Sequence, residues 1–208
     1  MNSMREYEDK YIKQGCTIIA GCDEAGRGPI AGPLVVATCV LPNDFYDERI
    51  NDSKKLTEKK RELLYDLIVE KALDYKIIIY DEKEVDRLNV YQASKLGMED
   101  GVRGLKLKAE VVLSDAMPLQ LDIPVEPIIK GDAKSITIAA ASILAKVTRD
   151  RIMYEYDALY PEYGFKNHKG YPTKKHKEAI LEYGVLPIHR RTFEPIKTLT
   201  SEQISFDI

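Results

Sequence analysis

The sequence predicts an α/β fold, and three observations predict it. Short apolar runs rich in β-branched residues are closed off by Gly and Pro, as buried strands are. Segments with helical spacing of apolar residues alternate with those runs. The chain has 208 residues, 44% hydrophobic and 31% charged. That suits a soluble globular protein with one good hydrophobic core, or at most two small ones.

Residues 17–22 (TIIAGC) and 34–41 (LVVATCVL) read as the first two strands. Residues 57–73 (TEKKRELLYDLIVEKAL) read as an amphipathic helix. Thr57 is its N-cap, Glu58 suits the first turn, and Leu63, Leu64, Leu67, Ile68 and Ala72 make one face. Strand-like KIIIY (76–80) follows, then a helical stretch over about 90–107. Residues 110–115 (EVVLSD) and 125–130 (VEPIIK) are two further strands. A helix is expected over 135–156, with a small-residue patch at Ala139, Ala140, Ala141 and Ser142 that lets a neighbour come close. After Pro161 the chain turns basic and turn-rich, with a short helix at 174–183 and prolines at 187 and 195. There is no internal repeat, low-complexity tract or linker. The expectation is one domain over 1–208, with a core over about 17–160 and a basic C-terminal extension, about 161–208, packed on it.

Composition excludes several classes. The first 15 residues are charged and lack the apolar stretch of a signal peptide. No run approaches the ~18 apolar residues of a membrane helix. The cysteines (Cys16, Cys22, Cys39) are odd in number and show no CxxC spacing. That argues against a disulfide framework or zinc site and for a reducing cytoplasm. The net charge is −3, yet residues 166–191 hold seven Lys/Arg against two acids, together with all three histidines (168, 176, 189). Such a segment reads first as a solvated face, and as a substrate surface if the substrate is anionic.

The stretch GCDEAGRGPIAGPL (21–34) raises a choice. Its glycines come close to a dinucleotide-binding fingerprint. That fingerprint needs a helix to start after the glycines and hold the pyrophosphate. Here Pro29, Pro33 and a β-branched run follow instead, so a dinucleotide site is not expected. Lys134-Ser135 in GDAKS lacks the glycine a phosphate loop places before its lysine. The acids carry more. Asp23 and Glu24 close the first apolar run, Asp115 ends EVVLSD, and Asp132 follows VEPIIK. Adjacent strand residues face opposite ways, so Asp23 and Glu24 meet one site only at a strand end or bulge. A lone Asp at such a place is often a turn or cap residue. Several converging carboxylates repel unless a cation lies among them. Without His or Cys they suit hard, oxygen-seeking Mg²⁺ or Mn²⁺.

These segments resemble ribonuclease HII, the bacterial type 2 ribonuclease H. The resemblance rests on GCDEAGRGPIAGPLVVA, NDSKKLTEKKRE, the strand ending at Asp115, KGDAKSITIAAASILAKVTRD, NHKGYPTKKH and HRRTF, which occur in the family's order and cover about 17–195. It implies a ribonuclease H-like fold: a mixed five-stranded sheet with flanking helices and a helical C-terminal part. It implies an endonuclease that cuts the RNA strand of RNA–DNA hybrids and incises 5′ of single ribonucleotides in duplex DNA, leaving 3′-hydroxyl and 5′-phosphate ends. Matched by motif, Asp23, Glu24, Asp115 and Asp132 are the catalytic acids and would hold two Mg²⁺ or Mn²⁺ ions. The related ribonuclease HIII has Glu in the last position and an extra N-terminal domain; Asp132 and the short stretch before the first strand favour HII. Gly26-Arg27-Gly28 matches the loop that reads the 2′-hydroxyl, and glycine permits that close backbone approach. Tyr171 matches the tyrosine that packs on the deoxyribose at an RNA–DNA junction. Lys54, Ser142, Lys146 and the basic 166–191 segment are candidates for phosphate contacts. Asp150 is expected to be structural and Cys22 a small core residue. A cytoplasmic monomer without membrane contact is expected. The tail motif Gln203-Ile204-Ser205-Phe206 is similar to short sliding-clamp-binding motifs.

Overall fold

β-Branched and apolar side chains on successive residues need cover on both faces of a strand. The second strand, β2 (Leu34–Val40), meets that need, and all seven of its residues are buried. It belongs to a five-stranded sheet in the computed structural model, which describes residues 4–200. The other strands are β1 (Ile19–Ala25), β3 (Asp74–Tyr80), β4 (Val111–Asp115) and β5 (Val125–Ile128), in the order β3-β2-β1-β4-β5. β1 runs antiparallel to β2, from Ala20↔Val40 to Ala25↔Val35. It runs parallel to β4 from Ile19↔Val111 to Cys22↔Ser114, and β4 runs parallel to β5. The sheet is therefore mixed, and the helices α1 (Glu6–Lys13), α2 (Glu58–Lys71), α3 (Glu82–Leu88), α4 (Val90–Arg103), α5 (Ile136–Leu159), α6 (Phe165–His168) and α7 (Lys174–Tyr183) complete an α/β fold. Among the described residues no helix is long and apolar enough to cross a membrane.

The chain forms two compact units. One comprises residues up to 25, 35–79 and 94–147; the other comprises 26–34, 80–93 and 148 onward. The first has a core of Ile19, Val111, Leu113, Ile128 and Ile138, against which α1 lays Tyr7, Tyr11 and Ile12. The second packs Ile30, Ala31, Met153, Phe165, Ile180 and Ile196 under a shell that includes Tyr156, Tyr160 and Phe193.

The expected strands all form, and α7 has the expected bounds. β1 starts two residues later than expected and runs on through Asp23, Glu24 and Ala25. Thr57 caps α2 by accepting from the Lys60 amide. One expectation for α2 fails: Leu63 is 63% exposed, while Leu64 and Ile68 are buried. The buried face follows the 3.6-residue period from Leu64, and Leu63 lies off it. Three helices were not expected: α1, α3 and the four-residue α6. α1 is mostly charged and its apolar face is only the partly buried Tyr7, Tyr11 and Ile12, while α3 carries Val85 as its one buried apolar residue. A capping box at Asp81 and Glu84 starts α3.

One glycine sets how closely α5 can lie on the sheet. A Cβ at Gly21 would fall 2.5 Å from the Thr137 carbonyl carbon and 2.6 Å from the Ile138 amide nitrogen. Those are backbone atoms, which cannot swing aside. Gly21→Ala should therefore destabilise by roughly 3 kcal/mol, although alanine suits a strand better than glycine. Urea unfolding should show a lower midpoint with an unchanged slope; an unchanged or higher midpoint would mean α5 has room to retreat.

Candidate active site

β1 is paired with β2 as far as Ala25, but its pairing with β4 ends at Cys22↔Ser114. Asp23 and Glu24 thus stand beyond the last parallel pair, where β4 closes with Asp115. Asp132 lies in a 3₁₀ turn, Gly131–Ala133, directly after β5. Three parallel strands bring their carboxyl ends to one sheet edge, and each contributes an acid there or just beyond. The Gly131 amide donates to Asp115 Oδ1 at 2.7 Å, which ties the end of β4 to the turn that carries Asp132.

The carboxylates strain against one another. Asp23 is buried and accepts the Glu24 amide at 2.7 Å. Burial, then the charges of Glu24 and Asp115, hold its carboxyl well above the usual range; the Glu24 amide and the Ser142 hydroxyl act the other way. Burial also raises Asp132, with Lys54 opposing and Asp115 and Asp52 adding to the rise. Lys54 Nζ lies 3.5 Å from Asp132 Oδ2. Burial depresses that ammonium, but Asp132, Asp23, Asp52 and Asp115 together raise it further than burial lowers it. Lys54 is thus a counter-ion of the acids. Asp52 accepts the Lys54 amide at 2.9 Å and caps the short turn that presents it. Ser142 is buried, and its hydroxyl is 2.7 Å from that of Ser53. Lys146, one turn further along α5, is partly exposed. Sequence reasoning missed the parts played by Asp52 and Ser53, although NDSKK lies within one of the matched segments.

The donor set fits a hard divalent cation. All four groups are carboxylates, and the buried Asp132 Oδ2 has only the Lys54 ammonium at 3.5 Å. A cation would relieve the repulsion that raises Asp23 and Asp132. Among the described residues no three His, Cys, Asp or Glu side chains form a ready-made metal cage.

The second unit holds the other residues singled out from the sequence. Gly26 has φ +105°, and a Cβ there would meet the Arg149 side chain and lie 2.6 Å from the Pro33 carbonyl oxygen. Only glycine fits this position. Arg27 and Gly28 are exposed. The Tyr171 ring is 47% exposed, and its edge would lie 3.2 Å from a Cβ placed on Gly28. Tyr171 and Gly28 are therefore neighbours.

The basic segment is not a simple solvated face. His176, His189 and Arg190 are almost fully buried. His168 and His176 stack with centroids 4.4 Å apart, and His176 Nε2 lies 3.1 Å from His189 Nε2. Arg190 donates to the carbonyls of Gly32 and Arg27. These side chains cannot serve as phosphate contacts, because charge and rings are used internally. Cys22 and Cys39 are also fully buried, and burial pushes the Cys22 thiol up to about 12, so it is a core residue. Asp150 is buried as well.

Comparison with solved structures gives the class. The ribonuclease H2 of Pyrococcus horikoshii OT3 matches over 89% of this chain and 98% of its own, with TM-score 0.77 and 30% identity. The ribonuclease HII of Archaeoglobus fulgidus, solved in a PCNA complex, matches over 85% of this chain and 95% of its own, with TM-score 0.72 and 25% identity. The fold is that of a type 2 ribonuclease H. The family model for ribonuclease HII matches residues 20–196. The ribonuclease HII of Bacillus cytotoxicus is 54% identical over 201 residues, 97% of this chain and 78% of that protein. The chain belongs to the ribonuclease HII family and is a ribonuclease H endonuclease.

Proposed function

We propose that the protein hydrolyses the RNA strand of RNA–DNA hybrids and incises duplex DNA on the 5′ side of single ribonucleotides, leaving 3′-hydroxyl and 5′-phosphate ends. The observation that carries this reading is the gathering of Asp23, Glu24, Asp115 and Asp132 at the carboxyl ends of β1, β4 and β5. These four acids would hold two Mg²⁺ or Mn²⁺ ions. When bound, such ions supply Lewis-acid activation of a water and stabilise charge on the leaving oxygen.

The residues of the chain do the rest. The Gly131 amide fixes Asp115, and the Glu24 amide fixes Asp23, so both carboxylates are oriented before substrate arrives. Lys54 offsets part of the acid charge and is exposed enough to meet a phosphate. Lys146 can meet one too; Ser142, buried against Ser53, serves better as a hydrogen-bond support for Asp23. Gly26-Arg27-Gly28 presents backbone groups to the 2′-hydroxyl, and Arg27 can fork onto phosphate. The exposed face of Tyr171 offers an apolar platform for a deoxyribose. The enzyme acts as a cytoplasmic monomer in this reading. The clamp-contact motif Gln203-Ile204-Ser205-Phe206 lies outside the described residues.

The test is an end-labelled DNA duplex with one ribonucleotide, incubated with Mg²⁺ or Mn²⁺. A metal-dependent cut 5′ to the ribonucleotide, absent in EDTA and absent on an all-DNA duplex, is the expected result. Binding without a cut under either metal would point instead to a hybrid-binding protein that does not hydrolyse.

A further inference from the structure

Residues 26–33 follow the acids directly in the chain and form no helix or paired strand beyond an isolated bridge from Ala31 to His189. Such a loop needs donors for its inward carbonyls. Two buried arginines supply them. Arg149 Nε donates to the Pro33 carbonyl at 2.9 Å and Nη2 to that of Ala31 at 3.1 Å. Its Nη1 donates to the Lys169 carbonyl at 2.9 Å. Arg190 Nε donates to the Gly32 carbonyl at 3.0 Å and Nη1 to that of Arg27 at 3.3 Å. Arg149 is 1% and Arg190 0% exposed.

Burying two guanidinium groups is costly, and apolar side chains would fill the same volume at less expense. What apolar residues cannot do is set the direction of four loop carbonyls. Direction matters because the peptide unit is planar and trans, so a C=O and the following N–H point opposite ways. The Arg27 carbonyl is turned inward to Arg190. The Gly28 N–H is therefore turned away from it, on a residue that is exposed. Glycine at 26, with φ +105°, lets the chain enter this path. The main chain adds its own ties: the Ile30 amide donates to Gly170, Gly32 to Ile188, and Arg190 to Ile30.

We propose that Arg149 and Arg190 are positioning residues for ribonucleotide recognition: their buried forks hold the carbonyls of residues 27–33 inward and so aim the Gly28 amide outward as the 2′-hydroxyl donor. This rests on the reading of Gly26-Arg27-Gly28 as the sugar-reading loop. Neither arginine touches substrate. Lysine at either position keeps the charge but loses the planar fork, so it should not restore the function.

The test compares binding of two fluorescein-labelled duplexes of one sequence, with and without a single ribonucleotide, by anisotropy in EDTA so that no cleavage occurs. Wild-type protein should prefer the ribonucleotide duplex. Arg190→Lys and Arg149→Lys should each cut that preference roughly tenfold or abolish it. Affinity for the all-DNA duplex should stay within about twofold, because phosphate contacts elsewhere are intact. Amide hydrogen exchange over 26–33 should speed up in both variants while exchange in β1 and β4 does not. A preserved preference in either folded variant would overturn the proposal. So would global unfolding of both, since the arginines would then hold the unit rather than the loop. Gly28→Ala separates this from the reading beneath it. If wild type shows no preference, or Gly28→Ala keeps it, the loop is not the reader. If Gly28→Ala loses the preference and the arginine variants keep it, only the positioning role fails.

Discussion

Asp23→Asn should lower turnover by roughly 10³-fold or more, equivalent to about 4 kcal/mol of transition-state stabilisation, and should make the metal-free protein more stable. Both halves follow from one arrangement. Asp23 is buried at the end of β1 beside Glu24 and Asp115. Burial and those two charges raise its carboxyl above the unfolded value. The sign is then fixed. Between the unfolded and the raised folded pKa, the folded state binds more protons than the unfolded state, so stability falls as pH rises through that window. At neutral pH, without metal, placing a charge on Asp23 costs the folded state. Asparagine keeps an oxygen for the Glu24 amide and removes the charge. The gain should be about 1 kcal/mol, or ~2–4 °C in a chain of this size. Added Mg²⁺ should raise the melting temperature of wild type more than that of the variant. The checks are thermal melts in EDTA and in Mg²⁺, beside cleavage of the ribonucleotide duplex. An active variant, or one that melts lower in EDTA, would sink the claim that Asp23 is kept for function at the fold's cost.

The acids were legible in the sequence because each sits where a β-branched run stops. Strand ends are signalled by composition, and parallel strands send those ends to one edge. The glycine loop was legible for a negative reason: prolines and a strand follow it where a cofactor-binding helix would have to start. Other features could not be read locally. α1 looks like a charged terminus because its fully buried residue is Glu8, which accepts from the Ser135 hydroxyl at 2.6 Å and from the Thr137 amide at 3.0 Å, at the start of α5. The value of that glutamate lies 127 residues away in the chain. Arg149 carried no signal of its own, and Arg190 was opaque for a similar reason. An arginine in a basic segment reads as a phosphate contact, and only the fold shows that its fork is taken up by backbone carbonyls. Leu63 and Leu64 illustrate the finer limit, since one residue of helical phase separates an exposed side chain from a buried one.

Acidification should unfold the protein through the same basic segment. The hydrogen bonds assign the proton on each ring. His189 Nδ1 accepts the Leu186 amide at 2.9 Å, so its proton is on Nε2 and faces His176 Nε2 at 3.1 Å. His176 Nδ1 donates to the Tyr171 carbonyl at 2.9 Å. Both rings are neutral, and a further proton would set N–H against N–H unless His189 gave up the Leu186 amide. Burial accordingly drives His176 down to about 3 and His189 down to about 4, with neighbouring His168 adding to both and Arg191 to the second. An unfolded histidine titrates near 6.5. Between those values the unfolded state binds more protons, so stability is complete above about pH 6.5 and is lost as pH falls toward 4. The loss is roughly 2 kcal/mol per ring by pH 5, a large share of a typical folding free energy of about 5–15 kcal/mol. Asp23 contributes with the opposite sign, as Asp132 and Glu82 do, so the Asp23→Asn background removes one opposing slope and leaves that of the histidines easier to read. In that background, urea unfolding should weaken steeply from pH 7 to pH 5. His189→Phe fits the aromatic surroundings of Tyr163 and Phe165 and should roughly halve the slope. A flat profile in the Asn background, or a slope indifferent to His189→Phe, would mean that the rings are protonated in the folded state and that the hydrogen-bond order assigned here is wrong.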